Sequence, residues 1–251
     1  MSDTSASRRV VVITGAGGTL GAALASPFAG EPDTDVVLSD VSAAALDATV
    51  AGLAAASGEV ATITADVSEI TDVEAVVGLA TERYGRLDVL VSNAGVLAPN
   101  GRIHNLTTED WDRSYRVNIL GNVNGIKAAV GAMRPQHSGS IILTASVAGM
   151  TAWSHAAPYC ATKAAVIQLA KVAAVEYARD GIRVNCVCPG TFLSAIHEGL
   201  PQEAIDAMAA KHPLGLGDAA ALVGAYSYLA SDASRWTTGA AIVVDGGYAA
   251  P

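Results

Sequence analysis

Residues 10–21 read VVVITGAGGTLG, a run of five β-branched residues followed at once by a glycine-rich turn. The run predicts a buried strand over Val10–Thr14, and the alanine-rich residues from about Leu20 predict a helix. Glycines permit positive φ and close approach of a ligand, and the first turn of a helix offers unpaired N–H groups to an anion. The stretch therefore predicts a strand–turn–helix unit that holds a phosphate or pyrophosphate.

Short apolar runs alternate with alanine-rich stretches of helical length along the rest of the chain. The predicted strands are Val36–Ser39, Val60–Ala65, Leu87–Ser92, Ser140–Ala145, Val184–Val187 and Ile242–Asp245, and the predicted helices are Ala43–Ala56, Ile70–Tyr84, Thr108–Met133 and Pro158–Arg179. Apolar strands separated by helices are typical of a parallel sheet covered on both faces. Because no linker or charge block divides the chain, we expect one α/β domain over residues 1–251.

The composition limits the classes of function. The chain has 251 residues, of which 51% are hydrophobic, and its 15 basic and 24 acidic residues give a net charge of −9. This acidic balance argues against nucleic-acid binding. The apolar stretches 10–30 and 141–162 are interrupted by Gly, Pro, Ser and Thr, so neither predicts a membrane span, and no secretory signal is predicted at the N-terminus. Three poorly spaced cysteines predict neither disulfides nor a metal site, and they favour a reducing, cytoplasmic location.

Asp40 ends the second predicted strand, at the place where a dinucleotide-binding unit carries an acidic residue. Such a carboxylate accepts hydrogen bonds from the adenosine ribose hydroxyls and repels a 2′-phosphate. No Lys or Arg occupies residues 15–21 or 41 to offset that repulsion. The pattern therefore favours NAD(H) over NADP(H). The other interpretation of Asp40 is a carboxylate that caps a turn or the next helix.

Tyr159 and Lys163 are separated by one helical turn, so their side chains share a helix face. A nearby cation favours the phenolate, which suits Tyr159 to general acid–base catalysis. Ser146 follows a predicted strand at the end that faces the ligand crevice of a parallel sheet, where its hydroxyl can bind a substrate oxygen. Asn118 is a polar residue inside an apolar helix. It is a candidate site residue, and the other interpretation is an ordinary buried amide with its hydrogen bonds satisfied.

The chain resembles the short-chain dehydrogenase/reductase family over nearly its whole length. In chain order, the motifs that carry the resemblance are the Thr14–Gly21 loop, Asp66-Val67, Asn93-Ala94-Gly95, Asn118, Ser146, Tyr159-x-x-x-Lys163, Pro189-Gly190 and Asp245-Gly246-Gly247. Each motif is weak alone, but their order and spacing together are specific. The resemblance implies a Rossmann-type doubly wound sheet, a nicotinamide cofactor that lies across the strand ends, and a homotetramer.

The resemblance also implies roles for these residues. Tyr159 exchanges the proton with the substrate oxygen, which Ser146 orients. Lys163 binds the nicotinamide ribose and lowers the pKa of Tyr159, and Asn118 holds a water of the proton relay. The expected cofactor-binding residues are Gly15, Gly18, Thr19, Leu20, Gly21, Asp40, Val41, Asp66, Val67, Asn93, Ala94, Gly95, Tyr159, Lys163, Pro189, Gly190 and Thr191.

Thr19 departs from the family loop, which usually has glycine at this position. A β-branched residue here is expected either to crowd the pyrophosphate and resist positive φ, or to donate its hydroxyl to a phosphate oxygen. If Thr19 crowds the pyrophosphate, Thr19→Gly should strengthen cofactor binding. If its hydroxyl binds phosphate, the same change should weaken cofactor binding.

Three segments that follow strand ends are expected to wall the substrate pocket: Val96–Asn100, Val147–His155 and Thr191–Leu200. The expected lining residues are Leu97, Met150, Trp153, His155, Phe192, Leu193 and Ile196. The second and third segments carry no Arg or Lys to clamp an anion, although Arg102 lies near the first. We therefore expect a neutral, largely apolar substrate. Residues 190–213, with the amphipathic segment Gln202–Ala210, are expected to form a mobile lid, and the other interpretation is a purely structural hairpin.

The sequence thus predicts an NAD(H)-dependent oxidoreductase that interconverts a small neutral ketone and a secondary alcohol. One alternative is an NADPH-dependent 3-oxoacyl-thioester reductase, against which Asp40 and the net charge weigh. Another is a nucleotide-sensing protein of the same fold without catalysis, which has no need of Ser146, Tyr159 and Lys163.

Overall fold

The computed structural model describes residues 8–53, 56–97, 99–194 and 199–250. Seven parallel strands form one sheet in the order β3-β2-β1-β4-β5-β6-β7. The strands are β1 Arg9–Thr14, β2 Thr34–Asp40, β3 Val60–Thr64, β4 Val89–Ser92, β5 Gly139–Thr144, β6 Ile182–Pro189 and β7 Ala241–Val244. The α/β class and the doubly wound parallel sheet predicted from the sequence are confirmed.

The helices cover both faces of the sheet. They are α1 Thr19–Gly30, α2 Ala43–Ala51, α3 Ile70–Tyr84, α4 Thr108–Tyr115, α5 Gly121–Met133, α6 Ala157–Tyr177, α7 Gln202–Ala209 and α8 Ala220–Ala230. Alternate residues of β1 enter different core layers, with Val10 and Val12 on the side of α3, α5 and α6, and Val11 and Ile13 on the side of α1 and α8. This two-sided burial explains why β1 is apolar at successive positions.

Two predicted helices differ in the structure. The helix predicted over Thr108–Met133 is interrupted by a π-helical turn at Arg116–Leu120, in which the Gly121 N–H bonds to the Arg116 carbonyl five residues back. The helix predicted over Ala43–Ala56 ends at Ala51, and Gly52 closes it. Helix α8 was not predicted, because its apolar residues give no strong helical period.

The order of strands places a crevice at the carboxyl ends of β1 and β4. The chain winds outward through β2 and β3 on one side of β1, and through β4 to β7 on the other. Parallel sheets bind ligands outside the strand ends at such a reversal point. In the described part of the chain, no helix is both long enough and apolar enough to cross a bilayer.

Candidate active site

The loop from β1 to α1 leaves no room for side chains at two glycines. Gly15 has φ of 65°, and a Cβ there would lie 2.7 Å from the Cα of Ala94. A Cβ at Gly21 would lie 2.0 Å from the Gly15 carbonyl oxygen, well inside van der Waals contact. Helix α1 begins after Gly18 without a side-chain cap. The tight glycine turn and the helix end without a side-chain cap give the geometry that the glycine pattern requires for phosphate binding, which itself stays a prediction.

Thr19 occupies the first position of α1 and is exposed. Among the described residues, the non-glycine residues with positive φ are Asp33, His137 and His155, so Thr19 is not one of them. The expectation that Thr19 resists positive φ is therefore wrong, because the helix begins at this residue and gives it ordinary helical geometry. The side chain lies at the helix end that a phosphate would occupy.

Asp40 sits at the end of β2 and reaches the phosphate loop. Its Oδ2 accepts a hydrogen bond from the Gly17 N–H at 2.9 Å, and its Oδ1 accepts one from the Ser42 N–H at 3.0 Å. The second bond is the turn cap that the alternative interpretation proposed. The first fixes the carboxylate against the loop, which is where an adenosine ribose would lie.

Three more of the expected cofactor-binding residues, Val41, Asp66 and Val67, differ in their surroundings. The side chain of Val41 is 69% exposed, whereas Val67 is buried. Asp66 accepts from the Ser68 N–H, and its own N–H donates to Asp72. A cavity of about 520 Å³ opens beside Asp66 and extends toward α4; it is lined by Asp66, Ser68, Thr108, Glu109, Asp112, Arg113, Arg116 and Val117. This cavity does not include the predicted catalytic residues.

Asn93 and Thr14 lock the ends of β4 and β1 together. The Asn93 amide donates to the Thr14 and Gly15 carbonyls at 3.2 and 3.1 Å, and the Thr14 hydroxyl accepts from the Asn93 and Ala94 N–H groups. Behind them, the Thr144 hydroxyl donates to Asn93 Oδ1 and pairs with the Tyr226 hydroxyl at 2.9 Å. Sequence reasoning missed Tyr226, because no local pattern predicts its contact with a residue 82 positions away.

Asn118 lies in the π-helical turn and is fully buried. Its Oδ1 accepts from the Val96 N–H at 2.8 Å, and its Nδ2 donates to the Val96 carbonyl and to the Thr162 hydroxyl. The Asn118 carbonyl accepts from Asn122 Nδ2 at 2.7 Å. The side chain is thus a satisfied buried amide that clamps the loop after β4. A π-turn often marks a functional position, and this one lies at the predicted relay residue.

Ser146 and Tyr159 are brought together beyond the end of β5. The Ser146 hydroxyl accepts from the Ala148 N–H at 3.1 Å and donates to the Pro189 carbonyl at 3.5 Å. Burial raises the pKa of Tyr159 above its ordinary value, and a hydrogen bond with Ser146 opposes that rise. The two hydroxyls therefore share one poorly solvated site.

Lys163 is 3% exposed, and its Nζ donates to the Thr144 carbonyl at 2.7 Å. The same Nζ lies 5.7 Å from the centre of the Tyr159 ring. Burial lowers the pKa of Lys163 to about 8. In the chain without cofactor, burial of the phenol raises the pKa of Tyr159. The lowering of that pKa by Lys163 in the cofactor-bound protein stays a prediction.

The backbone after β6 is fixed from two sides. A Cβ at Gly190 would lie 2.6 Å from the Cα of Asp245, and the Gly190 N–H donates to the Val244 carbonyl. The Thr191 N–H donates to Nε2 of His212, whose Nδ1 faces the Met208 carbonyl at 2.9 Å. Nε2 is therefore the acceptor and Nδ1 carries the proton. His212 is buried and ties the end of α7 to Thr191.

The expected substrate-pocket residues have different surroundings. Leu97, Met150 and Leu193 are each about half exposed, and His155 is exposed, with its Nδ1 paired to the Ser154 hydroxyl. Trp153 packs against the core on the α6 side and stacks on Tyr159 at 6.2 Å between ring centres. Phe192 packs against the other core layer, with α8. Ile196 lies outside the described residues.

Comparison with known proteins gives consistent matches over the whole domain. A family model described as enoyl-(acyl carrier protein) reductase, of the short-chain type, matches residues 15–249. Cis-4-hydroxycyclohexanecarboxylate dehydrogenase of Sinomonas cyclohexanicum is 37% identical over 96% of this chain and 97% of its own. The crystal structure of levodione reductase superposes with a TM-score of 0.89, at 32% identity, over 97% of this chain and 98% of its own.

A solved structure with bound NADP, that of ElxO, is also similar. It is 27% identical, with a TM-score of 0.89, and it covers 97% of this chain and all of its own. The matches span the motifs from the phosphate loop to the C-terminal glycines. The chain belongs to the short-chain dehydrogenase/reductase family of oxidoreductases.

Proposed function

We propose that the protein is an NAD(H)-dependent dehydrogenase that interconverts a small neutral secondary alcohol and its ketone, with Tyr159 as the general acid and base. The observation that carries the proposal is that Tyr159 lies beside two buried side chains: Lys163, whose Nζ is 5.7 Å from the centre of the Tyr159 ring, and Ser146, which follows β5. The related proteins support the reaction class, since their names describe the oxidation of a hydroxycyclohexane compound and the reduction of a dione.

The residues of the chain fit a nicotinamide cofactor. The phosphate loop depends on Gly15 and Gly21, because a Cβ at either position would clash with neighbouring backbone atoms. Helix α1 begins in this loop without a side-chain cap. A bound nicotinamide cofactor supplies or accepts the hydride. The Asp40 carboxylate, which the Gly17 N–H holds in place, would accept hydrogen bonds from the adenosine ribose hydroxyls. Its negative charge disfavours a 2′-phosphate. A relative of similar fold binds NADP, so the preference for NADH over NADPH is measured directly in the tests below.

The proton is handled by the chain itself. In ketone reduction, the Tyr159 hydroxyl donates its proton to the carbonyl oxygen while Ser146 donates a hydrogen bond to the same atom. In alcohol oxidation, the Tyr159 phenolate takes the hydroxyl proton. Lys163 presents an ammonium with three donors, one of which the Thr144 carbonyl accepts, so that two remain for ribose hydroxyls. Asn118 would hold the relay water.

The substrate enters between the exposed side chains of Leu97, Met150 and Leu193 and the ring of Trp153. These residues are apolar, so a neutral ketone or alcohol with an alicyclic or aryl ring suits them. Helix α7 buries none of its residues and is joined to Thr191 through His212, which suits a lid over residues 190–213. A closing lid would exclude water from the proton transfer.

The specific alternative is NADPH-dependent reduction of the 3-oxo group of an acyl thioester, a substrate type that the acyl carrier protein in the description of the matching family model suggests. Acyl carrier proteins are acidic, and a net charge of −9 opposes their docking. A chain that only senses nucleotides would bind NADH without turning over any ketone.

The test follows the near-ultraviolet absorbance of NADH in the presence of cyclic ketones, keto acids and a 3-oxoacyl thioester. We expect a neutral cyclic ketone to give the highest kcat/KM. A keto acid that is better by more than tenfold would contradict the pocket assignment and make Arg102 the first residue to mutate. Thioester turnover with NADPH in place of ketone turnover would favour the alternative, and binding without turnover would favour the sensor.

We also propose a cytoplasmic homotetramer. Exposed apolar side chains lie on the helices expected at the interfaces, namely Tyr115 on α4 and Val172 and Val175 on α6, and Val243 is exposed on the edge strand β7. Burying exposed apolar side chains between subunits stabilises an oligomer, and most soluble oligomers are symmetric homo-oligomers. Light scattering should give about four times the chain mass of 25.3 kDa, and a particle of 25.3 kDa would contradict the proposal.

A further inference from the structure

Helix α8 places a fully buried tyrosine, Tyr226, against the end of β5. Its ring lies in the core layer with α1, and its hydroxyl pairs with the Thr144 hydroxyl at 2.9 Å. The helix is attached to the start of β5 as well, since the Ser140 hydroxyl donates to the Leu229 carbonyl at 2.8 Å. A phenylalanine would fill the same space without removing a hydroxyl from water, a cost that one hydrogen bond offsets only in part. The hydroxyl therefore points to a role besides core packing.

The hydrogen bonds around Thr144 have a defined direction. Asn93 Nδ2 faces the Thr14 and Gly15 carbonyls, which only accept, so Oδ1 is the atom that faces Thr144. This oxygen also only accepts, and the Thr144 hydroxyl therefore donates its single proton to it at 3.3 Å. The Tyr226 hydroxyl is then the donor to Thr144. Burial raises the pKa of Tyr226 above its ordinary value, which keeps that donor protonated.

This directed chain of hydrogen bonds ends on the phosphate loop. The Gly15 carbonyl, which Asn93 Nδ2 reaches at 3.1 Å, also accepts from the Gly18 N–H at 3.2 Å. Gly21 packs directly against the same carbonyl, because a Cβ there would lie 2.0 Å from its oxygen. Close-packed atoms pass a displacement on to their neighbours. A shift of Asn93 would therefore move the first residues of α1, whose N–H groups are expected to face the pyrophosphate.

We infer that Tyr226 is a positioning residue for the cofactor, whose hydroxyl acts through Thr144 and Asn93 to hold the Gly15 carbonyl, and with it the phosphate loop, in the shape that binds the dinucleotide. The inference rests on the proposed function, which names NADH as that dinucleotide. Hydrogen bonds in such a chain polarise one another, so the loss of the first donor weakens those that follow.

The proton-transfer site is reached from Thr144 by a different group. Lys163 Nζ donates to the backbone carbonyl of Thr144 at 2.7 Å, not to its hydroxyl. The sheet fixes that backbone, since Thr144 is in register with Val187, whose carbonyl accepts from the Ala145 N–H at 2.8 Å. Removal of the Tyr226 hydroxyl frees only the Thr144 side chain. It should therefore change the affinity for the cofactor and not the rate of proton transfer.

The test is Tyr226→Phe, which keeps the buried ring and removes the hydroxyl. Calorimetric titration should show that the Kd of NADH rises by roughly threefold to tenfold. The single-turnover rate of ketone reduction at saturating NADH should stay within about twofold of wild type. The matched control is Tyr228→Phe on the same helix. The Tyr228 side chain is 39% exposed and its hydroxyl bonds to Thr237, so this change should leave the Kd unchanged.

A second variant tests the route through Thr144. Thr144→Val keeps the shape of the side chain and removes its hydroxyl, so it should also raise the Kd of NADH. In the Thr144→Val background, Tyr226→Phe should have no further effect on that Kd, because the chain of hydrogen bonds is already broken. Thermal unfolding checks that each variant folds. A purely structural role of Tyr226 would change thermal stability without this dependence of the Kd on Thr144.

Three results would overturn the inference while the proposed function stands. They are an unchanged Kd of NADH in Tyr226→Phe, an equal rise of that Kd in the wild-type and Thr144→Val backgrounds, and a slower single turnover at an unchanged Kd. If wild type does not bind NADH, the proposed function itself is contradicted, and the inference with it.

Discussion

The carboxylate of Asp40 accepts a hydrogen bond from the backbone N–H of Gly17 at 2.9 Å, which joins the end of β2 to the phosphate loop. The negative charge is therefore fixed beside the loop rather than free to swing into solvent. Because Ser42 holds the other oxygen, moving the charge away would break two bonds. The proposed preference for NAD(H) rests on this fixed charge.

Asp40→Ala should narrow the ratio of kcat/KM for NADH over NADPH, because the repulsion of the 2′-phosphate is lost. We expect wild type to prefer NADH and the variant to lose most of that preference. Asp47→Ala makes the same charge change at an exposed position of α2 and serves as the control. A wild-type preference for NADPH would show that the role assigned to Asp40 is wrong.

Thr19→Gly should weaken NADH binding. Thr19 already has helical geometry at the start of α1, so glycine relieves no strain and removes a hydroxyl next to the phosphate position. The loss of one hydrogen bond corresponds to about 0.5–1.5 kcal/mol, or roughly a twofold to tenfold rise in Kd. Calorimetric titration of NADH into both proteins measures it. Tighter binding by the variant would support the crowding interpretation instead.

Lys163 should make the free energy of unfolding depend on pH in the alkaline range. Burial lowers its folded-state pKa from 10.5 to about 8, so between these values the unfolded chain binds more protons than the native one. Stability from this group is then present above the unfolded pKa and is lost as the pH falls toward 8, with an upper bound of roughly 3 kcal/mol.

Urea unfolding at several pH values tests this linkage. Lys163→Met should remove the alkaline gain in stability, whereas Lys127→Met, at an exposed position of α5, should keep it. If the free energy of unfolding had the same pH dependence in wild type and Lys163→Met, burial of the Lys163 ammonium would not destabilise the folded chain.

His212→Phe should raise the KM for substrate and cofactor severalfold. The aromatic ring can still pack against Tyr248, whose centre lies 4.8 Å from that of His212, but the acceptor for the Thr191 N–H is gone. The unpaired N–H should loosen the start of the proposed lid. His104→Phe, at an exposed position, is the control. Unchanged KM values would mean that His212 does not position Thr191.

The fold was predictable because its signals are local. The β-branched run over Val10–Thr14 and the glycines after it specify a buried strand and a phosphate loop without reference to distant residues. The π-turn at Arg116–Leu120 was not predictable, because it coincides with hydrogen bonds between Asn118 and Val96 that only the folded chain brings about.

The site was predictable to the extent that the family motifs name its residues. Tyr159, Ser146 and Lys163 do come together, but the direction of the Tyr159 pKa depends on burial, which residue spacing does not report. His212 and Tyr226 act through contacts with Thr191 and Thr144 that only the folded chain brings about. Trp153 was expected in the pocket wall, and its unpaired N–H appeared only in the structure.

The central claim is that Tyr159 transfers the proton, and Tyr159→Phe tests it most directly. The change keeps the ring against Trp153 and removes the ionisable hydroxyl, with Tyr228→Phe as an exposed control. The measurement is the single-turnover rate of ketone reduction at saturating NADH. We predict a fall of roughly two or more orders of magnitude with little change in the Kd of NADH. A rate within tenfold of wild type would contradict the account.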